Sequence, residues 1–234
     1  MRFKENIPNL FTSLNLLSGC FGVVAVAEKL PETAVLFILA GAIFDFFDGF
    51  FARMLKKVSP MGKELDSLAD VITFGLLPAY LMYYLFQENS SGYYPYVSFL
   101  MVVAAGFRLA RFNVNEDQND YFQGLPTPAN AFVVAGLVHI YLADWESFRY
   151  VFNDPNILMA FVFIQSFLMN SNIQFLSLKF NKTAWKGNEL RYLLIFTGLI
   201  LLFFLRFEGI FILMVGYILL SLFQHIFRFF KSRS

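Results

Sequence analysis

Eight apolar stretches, each near the length needed to cross hydrocarbon, constrain this chain more than any other feature. A bilayer core about 30 Å thick takes roughly 20 apolar residues of helix. The stretches run about Phe11–Ala27, Glu32–Leu55, Leu65–Phe86, Pro95–Phe112, Pro128–Ala143, Asn156–Phe175, Tyr192–Leu205 and Ile210–Phe227. The first is longer than the apolar part of a cleaved leader and reads as a span. Composition agrees: 58% of the 234 residues are hydrophobic and 15% charged, against about 45–50% and roughly 25% in soluble domains. The expected fold is an all-α polytopic membrane bundle. It forms a single integral membrane domain over residues 1–234, with a six-span core (1–175) and a C-terminal helical hairpin (190–228) joined by a tight turn at Arg206–Gly209.

Lys and Arg set the orientation. With the N-terminus inside, only Lys29, Arg149 and Arg206 of the 18 basic residues fall outside. Both termini are expected in the cytoplasm, and in a prokaryotic cell the membrane is the inner one. A net charge of +1 and the lack of long basic runs offer nothing to nucleic acid. Leu178–Arg191 reads as an inner amphipathic loop held by anionic lipid. Cys20, the single cysteine, reads as a small buried residue.

Against this background the segment IFDFFDGFFAR, Ile43 to Arg53, is anomalous. Charges within spans are costly and face a bundle interior or an aqueous cavity. Asp45 and Asp48 are three residues apart and Asp66 and Asp70 four, so each pair shares a helix face. The short connection between the two helices makes them antiparallel neighbours, and the four carboxylates converge near their cytoplasmic ends. Such a cluster repels itself strongly, so that some members protonate or divalent cations relieve the charge. Hard oxygen ligands suit Mg²⁺, Mn²⁺ or Ca²⁺ rather than zinc, and a pair of such ions suits a phosphate-bearing substrate. Gly41, Asp45, Gly49 and Arg53 form a stripe, with Ala52 beside Asp48. Small residues there let a ligand or a helix approach the backbone, and Arg53 is placed to grip a phosphate.

Written as a string, the pattern is Asp45-x2-Asp48-Gly49-x2-Ala52-Arg53-x8-Gly62-x3-Asp66-x3-Asp70, eight fixed residues across 26 positions. It resembles the signature of the CDP-alcohol phosphatidyltransferase family at every defined position. The resemblance implies that the four aspartates bind two divalent metals. It implies that Gly49 and Arg53 help hold the CDP moiety, that Asp70 is the general base, and that the protein is a homodimer. Four further stretches resemble the phosphatidylserine synthase branch: Pro8–Gly22, DSLADVITFGLLPA, Gly106–Val114 and Phe122–Asn130. That resemblance covers roughly the first 135 residues. It implies CDP-diacylglycerol and L-serine as substrates, within membrane lipid.

Other polar residues leave two readings open. Thr12 and Asn15, three apart in the first span, either contact the nucleotide or join helices. Arg108 and Arg111, with Asn113 beside them, either contact serine or phosphate or reach lipid headgroups. Pro126, Thr127 and Pro128 read as a structural helix start, with Thr127 as N-cap; Asn130, one turn on, either faces the site or belongs to that helix start. His139 and His225 read as packing or interfacial residues, and neither lies in an H-x-K-x4-D pattern.

The expected reaction is direct displacement. Serine attacks the phosphorus that bears the lipid, Asp70 takes the hydroxyl proton, and CMP leaves. One alternative keeps the chemistry and changes the acceptor to glycerol 3-phosphate, an inositol phosphate or choline. A cation transporter is the alternative from another class. The clustering of the acids at one membrane face, with no second gate, argues against it.

Overall fold

A computed structural model describes residues 6–55, 59–90, 92–114, 121–143, 145–176, 188–205 and 208–231. Lys56, Lys57, Arg206, Phe207 and most of the Leu178–Arg191 loop lie outside the described residues. The described chain is almost wholly helical. Helix α1 is Ile7–Ala27, α2 Pro31–Met54, α3 Pro60–Asn89 and α4 Tyr94–Val114. The shorter α5 is Thr127–Leu142, α6 Glu146–Phe152 and α7 Pro155–Asn170, followed by α8 Glu189–Leu205 and α9 Glu208–Lys231. Five helices (α1–α4, and α9 over Glu208–Arg228) are long and apolar enough to span a membrane, and α5 and α7 are shorter apolar helices. The bundle is therefore the expected all-α polytopic membrane fold.

Local chemistry sets most helix starts. Prolines open α2, α3 and α7, where a missing N–H costs nothing. Lys29 turns the chain between α1 and α2 with φ 59°. Ser59 caps α3, its Oγ accepting from the Gly62 N–H at 2.9 Å. Within α3, Val71–Leu76 widens into a π turn between two α-helical halves. Pro78 lies just past it. A proline there cannot donate to the residue 74 carbonyl and crowds it, so the helix takes one extra residue per turn.

The second half of α3 and all of α5 form the centre. Phe74, Leu77, Leu81, Leu85 and Phe86 are fully buried, as are Val134, Leu137 and Val138. Helix α5 is apolar all round because it packs against α2, α3, α7 and α9. Small residues let α1 and α2 close on α3. A Cβ at Gly19 or at Gly41 would collide with Thr73 of the π turn. On the outside, Phe46, Phe50, Phe167 and Phe203 are exposed, as side chains that meet lipid should be.

Several expectations are corrected. The sixth span was expected to reach Phe175, but α7 ends at Asn170. Ser171 leaves the helix with extended backbone (ψ 161°). Gln174–Leu176 (β2) then pairs antiparallel with Tyr121–Gln123 (β1), Phe122 opposite Phe175. Gly124 follows β1 with φ +75°, and its N–H donates to the Ile173 carbonyl at 2.9 Å. Any side chain there would strike the Met169 carbonyl. The short helix α6 was not foreseen. Thr127 is not the N-cap of α5: Pro126 holds that position and Thr127 is the first helical residue. Cys20 is exposed rather than buried, because α1 turns Gly19 and Gly22 toward α3 and leaves the adjoining face outward.

Candidate active site

The C-terminal part of α2 carries Asp45 and Asp48, and the first half of α3 carries Asp66 and Asp70. Asp45, Asp48 and Asp66 each present a carboxylate oxygen, and these oxygens all lie within 4.8 Å of one another. Asp48 is 7% exposed, and Asp66 Oδ1 is buried with no hydrogen-bond partner. Among the described residues none of the four carboxylates has an ion-pair partner. At an effective dielectric of about 20, two full charges at that separation repel by roughly 3.5 kcal/mol. Three such pairs would cost roughly 10 kcal/mol, comparable to the whole stability of a domain. Protonation or a bound cation relieves that repulsion, and the three oxygens are grouped as a metal ion would need them. The donor set is hard carboxylate oxygen, which suits Mg²⁺, Mn²⁺ or Ca²⁺.

Helix α1 holds the carboxylates in place. Thr12 Oγ lies 2.8 Å from Asp48 Oδ2 as donor, and 3.1 Å from the Pro8 carbonyl. Asn15 Nδ2 donates to Asp70 Oδ1 at 3.3 Å. Thr73 in turn donates to the Asn15 carbonyl at 2.9 Å. Thr12 and Asn15 thus join helices. Asp70, 8% exposed, lies outside the 4.8 Å trio but interacts electrostatically with Asp45 and Asp66. It also interacts electrostatically with buried Arg108 of α4.

The small residues and the arginines separate into different tasks. Gly41 makes room for Thr73, whereas the face of Gly49 is open except for the Arg53 guanidinium, 3.6 Å from where a Cβ would stand. Arg53 is exposed and Ala52 half-buried. Gly62 accommodates Asn9 of α1. Arg108 is 7% exposed. Arg111 is exposed and donates to the Asn170 carbonyl at 3.1 Å, tying α4 to the end of α7. Asn113 donates to Ser67 Oγ at 2.8 Å, and its carbonyl accepts from Lys63 at 2.8 Å. Arg108 is thus buried within electrostatic reach of Asp70, whereas Arg111 and Asn113 bond to neighbouring elements. His139 lies 3.9 Å from Glu208, and His225 accepts from the Gln174 N–H at 3.3 Å.

Sequence reasoning missed two participants. Thr73 locks α1 to α3, and the glycines that face it, Gly19 and Gly41, were its only signal. Tyr217 of α9 interacts electrostatically with Arg108 and donates to the Leu176 carbonyl at 2.9 Å. Nothing in its generic apolar surroundings marked it.

Hard carboxylates gathered on two neighbouring helices of a membrane bundle form a group that could hold a metal ion, as metal-dependent enzymes that act on phosphate esters require. A family model for CDP-alcohol phosphatidyltransferase matches residues 5–169, and the chain belongs to that family. It is 33% identical, over 82% of its length and 80% of the relative's, to the CDP-diacylglycerol–serine O-phosphatidyltransferase of Helicobacter pylori. The enzyme so named in Bacillus subtilis is 35% identical, over 72% of this chain and 89% of the relative. That of Methanocaldococcus jannaschii is 36% identical over 59% and 64%.

Proposed function

We propose that the protein transfers the phosphatidyl group of CDP-diacylglycerol to the hydroxyl of L-serine, giving phosphatidylserine and CMP. The observation that carries the reaction is the approach of Asp45, Asp48 and Asp66 oxygens to within 4.8 Å. The serine-specific names of its relatives support the choice of acceptor.

Asp45, Asp48 and Asp66 are the residues that hold divalent metal, Mg²⁺ or Mn²⁺. Metal bound there supplies positive charge against the pyrophosphate as its anhydride bond breaks. The remaining work falls to the chain. Thr12 fixes one oxygen of Asp48. Gly49 leaves the backbone open, and Arg53 beside it orients a phosphate of the nucleotide. Asp70 stands outside the clustered trio, so its second oxygen is free for proton transfer while Asn15 holds the first. The serine hydroxyl gives its proton to Asp70, and its oxygen forms a bond to the lipid-bearing phosphorus. The anhydride P–O bond breaks and the electron pair leaves with CMP. Arg108, within electrostatic reach of Asp70, offers its charge to the acceptor carboxylate. The bias of Lys and Arg puts this end of the bundle at the cytoplasmic face. The diacylglycerol chains then remain in the bilayer.

The test is CMP release by purified protein given CDP-diacylglycerol and, separately, serine, glycerol 3-phosphate, inositol phosphate or choline. Serine alone should support turnover. Asp70→Asn should bind nucleotide but lose at least about a thousandfold in kcat. Turnover with another acceptor and none with serine overturns the assignment.

A further inference from the structure

The first turn of α5 holds a polar group that the mechanism above leaves unused. Asn130 and Thr127 are both 0% exposed. Neither the amide Nδ2 and Oδ1 of Asn130 nor the hydroxyl of Thr127 has a partner in the protein. Spaced three apart, they lie on one helix face. Arg108, 7% exposed, likewise keeps an unpartnered Nε. Buried amides and hydroxyls are almost always bonded, so three such residues on neighbouring elements point to a missing polar ligand.

Helix packing brings them to one level. A Cβ on Gly136 of α5 would collide with Phe211 of α9. From that contact α9 runs toward the start of α5. Tyr217 and Ser221 of α9 bond to Leu176, and β2 pairs with the strand that leads into α5. Asn130 is six residues from Gly136 and Tyr217 six from Phe211, so both stand about 9 Å along antiparallel helices from the contact. Tyr217 interacts with Arg108, and Arg108 with Asp70. Helix α5 also packs against the π turn that follows Asp70. The unpartnered atoms of Asn130 and Thr127 thus stand on the helix that packs against the π turn next to the proposed base.

We propose that Asn130 and Thr127 read the amino-acid end of the acceptor, together with Arg108. This rests on the serine reading above. A zwitterion needs an acceptor for its ammonium and donors for its carboxylate. Asn130 Oδ1 and the Thr127 hydroxyl supply the first; Asn130 Nδ2 and Arg108 supply the second. A phosphorylated acceptor, which carries only anionic oxygens at that end, would leave Asn130 Oδ1 unpaired.

Shape-conserving variants separate this role from a structural one. Replacing a buried polar group that has no partner in the fold by an apolar one of the same shape leaves stability unchanged or raises it, whereas removing one that braces the fold lowers it. Full-length wild type, Asn130→Leu and Thr127→Val are compared in mixed micelles by CMP release, with serine and CDP-diacylglycerol varied in turn, and by thermal melting. Asn130→Leu should raise the serine KM about tenfold or more and Thr127→Val about threefold. The KM for CDP-diacylglycerol and the melting temperature should not fall. A wild-type serine KM in both variants overturns the proposal, as does an equal rise in both substrates' KM. If Asn130→Leu does not fold, Asn130→Ser replaces it under the same thresholds. Wild type that releases no CMP with serine instead defeats the acceptor reading itself.

Discussion

The α1–α3 part of the bundle and the α4–α5–α9 part both bury polar groups, but they satisfy them differently. On the first side the protein bonds to itself. Thr12 reaches Asp48, Asn15 reaches Asp70, and Thr73 reaches Asn15. Among the described residues two oxygens are exceptions: Asp66 Oδ1, in the carboxylate cluster, and Asn15 Oδ1. On the second side Asn130, Thr127 and Arg108 keep polar atoms with no protein partner. The difference fits two substrates of unlike demands. A pyrophosphate needs charge fixed in advance, since reorganising charge during reaction costs rate. A small zwitterion can itself complete the hydrogen bonds of a cavity shaped to it, and a wrong acceptor then leaves them unmade.

The largest effect expected on the first side comes from the clustered acids. Asp66→Asn removes one of three mutually repelling charges, so the protein should hold its fold while kcat falls by about a thousandfold or more. Chelation of the wild type should abolish CMP release, and added Mg²⁺ or Mn²⁺ should restore it. Activity that survives chelation would break the comparison, because the carboxylates would then need another reason to meet. A smaller effect should follow loss of their support. Thr12→Val keeps the side-chain shape and deletes the bond to Asp48. Groups that orient metal ligands are commonly worth about 10- to 100-fold in metal affinity. The Mn²⁺ concentration for half-maximal rate should rise by that order, with the serine KM unchanged. A shift in serine KM instead would merge the two sides into one network.

How far the sequence shows these features follows the same division. The spans, the acidic cluster and the membership of Thr12 and Asn15 are visible because intramembrane charge is costly and helical spacing assigns faces. The convergence of Asp45, Asp48 and Asp66 needed only a short connection between two helices. What was hidden depends on tertiary contact. The apolar pattern of residues 156–175 gives no hint that Ser171 ends α7 and that the next residues pair with Tyr121–Gln123. The spacing of Arg108 and Arg111 places both near one face. Only packing decides that Arg108 turns inward while Arg111 bonds to Asn170. The orphaned amide of Asn130 is likewise hidden: the sequence allows that Asn130 faces the site but gives no sign that its amide is unpartnered. Burial without a partner is a property of the folded neighbourhood alone.

Tyr217 offers the finest test of the division, because α9 lies beyond the residues 5–169 that match the family model. Its ring lies 6.2 Å from that of Phe175, its hydroxyl donates to the Leu176 carbonyl at 2.9 Å, and it stands beside Arg108. Among the described residues α9 is therefore braced against α5 and β2, the side proposed to take the acceptor. Tyr217→Phe deletes one hydrogen bond worth about 1 kcal/mol, equivalent to roughly fivefold in an equilibrium. The expected result is a two- to fivefold fall in kcat/KM for serine, with the metal requirement and the KM for CDP-diacylglycerol unchanged. Truncation after α7 is too blunt to show this, since β2 and the packing of α5 would be lost with it. An effect of Tyr217→Phe on metal activation would mean that α9 acts on the whole bundle. No effect on either substrate would make the hairpin a membrane buttress, and the acceptor side would end at α5.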